Sequence, residues 1–280
     1  MFARRSGRTR QARRRGPPVD HPTGLIGQPT ASASLPYRVL LAGARLVGRG
    51  LLLLRPRLIG AEHLPRTPDG RPAGGWIAAG MPHRTWVDPF LVADLLPTEP
   101  RLVFFGDGRA MFRSRLRRAA VELIGGVIPI WPGGGRAAVD THLAAVRDAL
   151  DAGAVVVIFP EIGPPVPPGR ARPLGAGVAY FALRTGAPIV PLVIGGSEDL
   201  YLGRRLRLVA MPAVSALELA GIDPSSGPPP PWSPDERDAA ARIQAALHAR
   251  CAPVVAAVHR STQDRPGARR VGRRLTTLFH

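Results

Sequence analysis

From Gly75 onward the chain alternates short apolar runs with segments of helical period. Strands are predicted over 75–80 (GWIAAG), 101–106 (RLVFFG), 126–131 (GVIPIW), 154–160 (AVVVIFP), 188–195 (PIVPLVIG) and 206–211 (LRLVAM). Helices are predicted between them, over 89–96, 112–124, 136–151 and 174–186. Runs that stay apolar, rather than alternating with polar residues, suit strands buried on both faces, and the intervening helices supply the covering layers. The pattern predicts an α/β domain with a mostly parallel central sheet covered by helices. No internal repeat is evident.

Two flanking segments read differently. The stretch LPYRVLLAGARLVGRGLLLLRPRLIG at 35–60 is rich in leucine but is interrupted by Arg38, Arg45, Arg49 and Arg55. Its apolar runs are far shorter than the ~18 to 20 residues that span a bilayer. A helix here carries a broad apolar side with arginines whose stems can reach lipid headgroups, so an N-terminal amphipathic, membrane-facing helix is expected. A first helix facing the domain's own core has the same periodicity. At the other end, a proline-rich linker at 223–233 precedes a helix predicted over 234–258, whose Asp235, Glu236 and Asp238 suit a helix N-terminus. The expected organisation is a basic disordered tail at 1–34, a domain at 35–222, the linker, and a C-terminal helix with a second basic tail at 234–280.

Composition narrows the class. With 280 residues and 45% hydrophobic content, the chain can bury one substantial core. Its net charge of +18 comes wholly from arginine, since lysine is absent. The arginine clusters in MFARRSGRTRQARRRGPP and RPGARRVGRR can attract any polyanion. Aromatic–basic interleaving and recognisable nucleic-acid motifs are missing, so anionic membrane lipids, rather than nucleic acid, are the expected partner. No apolar core follows the first arginines directly, which argues against a secretory signal there. The single cysteine, Cys251, excludes an intramolecular disulfide and a cysteine-based metal site and makes a reducing cytoplasmic setting the default.

The chain contains a His-x4-Asp spacing twice: His83 and Asp88 in HRTWVD, and His259 and Asp264 in HRSTQD. The first pair falls where a predicted strand ends and a helix begins, the place where open α/β sheets bind ligands. The second follows a helix with no sheet beside it and reads as coincidence. A histidine held by a carboxylate suits acyl transfer to a hydroxyl. The imidazole takes the hydroxyl proton as the oxygen attacks a thioester carbonyl, and the carboxylate fixes the tautomer and stabilises the imidazolium.

HRTWVD resembles the His-x4-Asp motif of the glycerolipid acyltransferases, the family of glycerol-3-phosphate and lysophosphatidate acyltransferases. Three more blocks follow in the family's order: GGVIPIWPGGGR at 125–136, VVVIFPE ending at Glu161, and APIVPLVI at 187–194. The resemblance covers roughly residues 60–215. It implies His83 as general base, Asp88 as its orienter, Glu161 and its neighbours as acceptor-binding residues, and Pro188–Pro191 packing beside the site. It also implies acyl-CoA or acyl-acyl carrier protein as donor, with no metal and no bound cofactor.

The sequence departs from the family where charge is expected. Pro132 stands where the second block usually carries an arginine, Ile162–Pro165 (IGPP) replace a Gly-Thr-Arg-Ser run, and Gly175 or Ala176 replaces a basic residue. Arg136, Arg170 and Arg172 are the candidates to refill that charge at the acceptor site. The expectation is a peripheral O-acyltransferase on the cytoplasmic face of the membrane, acting on a polar lipid hydroxyl without a terminal phosphomonoester. Lysophosphatidate acylation in phospholipid synthesis is the alternative substrate reading. An inactive lipid-binding member of the fold is the alternative class.

Overall fold

A computed structural model describes residues 24–131, 133 and 135–263. In chain order its elements are α1 (Leu35–Arg45), β1 (Arg55–Ile59), β2 (Trp76–Met81), α2 (Asp88–Leu95), β3 (Leu102–Asp107), α3 (Gly108–Met111), α4 (Arg115–Ile124) and β4 (Val127–Ile130). They continue with α5 (Gly135–Asp151), β5 (Val155–Ile158), α6 (Gly177–Thr185), β6 (Ile189–Gly195), β7 (Arg205–Ala210), α7 (Ala216–Ala220) and α8 (Pro234–Thr262). The strands form one sheet in the order β1-β7-β6-β2-β5-β3-β4. The run from β6 to β4 is parallel, whereas β7 is antiparallel to β6 and carries β1 parallel to itself. This is the α/β architecture the apolar runs predict. The central strands β2, β5 and β6 are buried along their whole length, as their unbroken hydrophobicity requires.

Each face of the sheet has its own core. On one side Tyr37 and Leu41 of α1 and Leu91 and Val92 of α2 pack against Ala78, Val157 and Leu192, with Ile124 of α4 at the edge. On the other, α5, α6, α7 and α8 cover Ile77, Val156 and Ile189. Ile243, Leu247, Cys251 and Val255 of α8 are buried in that second core, so the proline block before α8 joins two parts of one packed unit.

The segment 35–60 departs from a single amphipathic helix. Helix α1 runs into a π-helical turn at Leu46–Leu51 and then ends, and Arg55–Ile59 becomes β1. Pro56 has no N–H to continue a helix but is tolerated in an edge strand, and the exposure of β1 alternates with period two. The helix expected over 112–124 begins only at Arg115, where Ser114 accepts a hydrogen bond from the Arg117 amide, and the short helix α3 before it lies outside the predicted range. Residues 24–34 are ordered rather than part of a free tail: the Ile26 N–H donates to the Val127 carbonyl and Ala33 is buried. Residues 1–23, the tail beyond Gln263, and with it Asp264, lie outside the described residues. Among the described residues no helix is long and apolar enough to cross a membrane.

Candidate active site

The chain leaves β2 at Met81, curls through 84–87, and enters α2 at Asp88, where Pro89 suits the first turn. This curl brings Asp88 Oδ2 to 3.0 Å from His83 Nδ1. The same oxygen accepts the backbone N–H groups of Arg84 at 2.7 Å and Thr85 at 2.8 Å. Asp88 is completely buried, while the His83 side chain is 39% exposed. A carboxylate can only accept from Nδ1, so the bond places the proton there and leaves the lone pair on Nε2. Phe159 stacks on the imidazole with ring centroids 4.4 Å apart. Gly80 makes room for that ring, since a Cβ there would sit 2.7 Å from it.

Both peptide groups of His83 are also held. Its N–H donates to Glu161 Oε2 at 3.1 Å, and its carbonyl accepts from Arg172 Nη2 at 2.7 Å. Arg172 in turn donates its Nε to Glu161 Oε2 at 3.0 Å and its backbone N–H to Oε1 at 2.8 Å. The site thus sits at the C-terminal ends of two adjacent strands, β2 and β5, where an open α/β sheet places its ligands.

The sequence model of the Acyltransferase family matches residues 56–195, which contain all of these groups. The chain belongs to the acyltransferase family. Among solved structures, it resembles the 1-acyl-sn-glycerophosphate (LPA) acyltransferase PlsC from Thermotoga maritima. That match has a TM-score of 0.50 and 17% identity and covers 78% of this chain and 80% of the other. A search of curated proteins gives no significant match.

The other residues singled out in the sequence are distributed unevenly in this acyltransferase. Glu161 is at the site, but its side chain is fully buried and its carboxylate faces Arg172 and the His83 amide. Arg172 is at the site too, engaged as described. Arg170 is exposed, and its carbonyl accepts from the Arg84 guanidinium. Arg136, at the start of α5, lies over the Trp232 ring, 5.3 Å from its centroid. Pro132 lies outside the described residues. Arg84, to which the sequence alone assigns no role, also donates to the Val166 carbonyl at 3.3 Å and so ties the His83–Asp88 turn to the proline-rich loop 162–173. Its place inside the His-x4-Asp spacing was the only available signal. His259 pairs with Glu198 at 3.1 Å and packs on Gly169, so it does have a carboxylate partner, from β6's end.

A cavity of about 560 Å³ is lined by Phe159 and Glu161, the residues that respectively stack on the His83 ring and accept its N–H. Phe159 and Glu161 form its near edge, Phe105, Ile158 and Phe181 its apolar wall, and Trp232 and Glu236 its other end. His142 faces this space. Its Nε2 lies 3.1 Å from the Pro129 carbonyl, and burial holds the imidazole below the ordinary histidine range.

Proposed function

We propose that this acyltransferase is a peripheral membrane enzyme that moves a fatty acyl chain from acyl-CoA or acyl-acyl carrier protein to a hydroxyl of a polar lipid. The observation that carries the reading is the His83 Nδ1–Asp88 contact of 3.0 Å on a partly exposed histidine, whose stacking partner Phe159 and backbone partner Glu161 line an apolar cavity. In the reaction, the acceptor hydroxyl oxygen attacks the thioester carbonyl carbon while Nε2 takes its proton. Collapse of the tetrahedral adduct breaks the C–S bond, and the imidazolium returns the proton to the thiolate, leaving an ester and a free thiol. Asp88 stabilises the imidazolium between these steps. The cavity, of a size usual for small-ligand sites and mostly apolar, suits the acyl chain. No step calls on a metal or a bound cofactor.

The acceptor we favour lacks a terminal phosphomonoester. A phosphate dianion in a partly desolvated site needs charge-assisted donors, for which the arginine fork is best matched. Arg172 is engaged by Glu161 and the His83 carbonyl, and Arg84 by the carbonyls of Val166 and Arg170. Pro164 and Pro165 offer no N–H. Steady-state kinetics with lysophosphatidate against its dephosphorylated monoacylglycerol test the point. Comparable or better kcat/KM for monoacylglycerol supports the reading. A strong preference for lysophosphatidate that is lost on mutating Arg136, or Arg170 with Arg172, overturns it and gives those arginines the acceptor-binding role.

The membrane part of the proposal rests on the apolar surface of α1 and the turn after it, where Leu35, Val39, Leu46 and Leu51 are exposed; Arg38 and Arg49 beside them are paired with Glu99 and Asp94. The cytoplasmic face is favoured because the one cysteine is free and buried, as in chains made for a reducing compartment.

A further inference from the structure

Helix α4 has no buried residue. It is ten residues long, and helices of fewer than ~12 to 15 residues are marginal in water unless an apolar face is packed. Its supports are modest: half-buried Ile124 at the core's edge, the Ser114 cap, the Arg118–Glu122 pair at 2.8 Å, and an Arg117 bond to the Ala110 carbonyl at 3.3 Å. Yet its sequence is strongly amphipathic. Leu116 and Leu123 are seven residues apart, two turns less about 20°, so they share a face. That face points outward, with Leu116 82% exposed and Leu123 67%.

The charge around this face has one sign. Arg113, Arg115, Arg117 and Arg118 are all exposed, and Glu122 is the only acid between Gly108 and Ile124. Helix α4 is also in contact with α1, whose Leu35 and Val39 are exposed too, as is Leu46 in the π-helical turn that follows. Both elements thus present exposed leucines, and both cover the same face of the sheet.

We infer that α4 is a second membrane-contact element, which buries Leu116 and Leu123 in the interfacial region of an anionic bilayer while Arg113, Arg115, Arg117 and Arg118 contact lipid phosphates. The inference rests on the peripheral-membrane reading above. Arginine stems can snorkel from a buried apolar face to headgroups, which fits the alternation of Leu116 with Arg115 and Arg117. An acidic protein could meet the same arginines, but the spread of exposed leucines over α1 and α4 favours a broad lipid surface. Trp86 and Phe90, exposed at the entry to α2, which covers the same face of the sheet, add aromatic surface near the His83–Asp88 turn in sequence.

The test is sedimentation of the full chain with phosphatidylglycerol/phosphatidylcholine vesicles and with phosphatidylcholine alone, at low and high salt. An Arg113, Arg115, Arg117, Arg118→Gln variant is expected to lose about fivefold in anionic-vesicle affinity per arginine at low salt, and far less at high salt. A Leu116→Ser, Leu123→Ser variant is expected to lose affinity in both salts. Because no α4 side chain is fully buried and the Arg117 and Arg118 bonds that the arginine variant removes are exposed ones that contribute little, both variants should stay folded with at most a small drop in melting temperature and keep turnover of water-soluble short-chain substrates. Wild-type vesicle affinity in both variants overturns the inference and leaves the peripheral reading standing on α1. Wild-type protein that fails to bind either vesicle overturns both. Unchanged vesicle binding with lost binding to an acidic acyl carrier protein overturns it in favour of a protein partner.

Discussion

Arg172 Nη2 donates to the carbonyl oxygen of His83 at 2.7 Å across 89 residues of sequence, from the far end of the proline-rich loop. Arg84 crosses the other way, from the catalytic turn to the Val166 and Arg170 carbonyls. Two arginines thus lace the turn and the loop together, and Glu161 sits between them as the acceptor for both Arg172 and the His83 amide. The loop and the catalytic turn form one positioned unit.

Arg172→Ala is therefore expected to lower kcat while leaving the acceptor KM nearly unchanged, because the arginine positions His83 rather than holding the acceptor. It also leaves the fully buried Glu161 carboxylate without its counter-charge, a change that costs roughly 3 kcal/mol when a buried pair is broken on one side. Adding Glu161→Gln should restore much of the stability but not the rate. Urea melts together with kcat and KM separate the two effects, and a rise in KM with unchanged kcat would instead assign Arg172 to acceptor binding.

Asp88→Asn should fold normally. One carboxylate oxygen receives the His83, Arg84 and Thr85 bonds, while Oδ1 has no hydrogen-bond partner, so an amide nitrogen can take the Oδ1 position and leave the three bonds in place. The lost charge no longer stabilises the imidazolium, and kcat is expected to fall on the order of 10²-fold or more. Circular dichroism alongside single-turnover rates checks both halves of the expectation.

Buried His142 makes stability depend on pH in a defined direction. Desolvation holds its folded-state pKa below the ordinary value, so between about pH 6.5 and that lower value the unfolded chain binds a proton that the folded protein does not. The stability is full above about pH 6.5 and declines as pH falls toward the folded pKa. Urea midpoints should drop from pH 7.5 to pH 5.5, and His142→Leu should flatten that drop even though it loses the bond to the Pro129 carbonyl. An equal drop in the variant would assign the pH dependence to other groups.

The strands were legible because β2, β5 and β6 are buried on both faces and their sequences contain little else than apolar residues. Strand β1 was not, because Arg55–Ile59 follows a leucine run of helical period and only the period-two exposure around Pro56 reveals it. The site divides the same way. His83 and Asp88 are close in sequence and lie at a strand end, so local spacing placed them. Arg172 and Glu161 are 11 residues apart on either side of a proline-rich loop, and whether that arginine faces solvent, acceptor or carboxylate depends on the loop's path. His259 shows the same limit. Its spacing to Asp264 drew attention, but its carboxylate partner is Glu198, brought close by the fold from 61 residues away.

The central claim is that His83 Nε2 takes the proton from the attacking hydroxyl. The most direct measurement is thiol release from an acyl thioester by purified His83→Ala, with monoacylglycerol as acceptor, against wild type at matched folded concentration. The account predicts a loss of roughly 10² to 10⁴-fold in kcat, with the melting temperature little changed because His83 is partly exposed. Wild-type release and ester formation by a folded His83→Ala protein would contradict it.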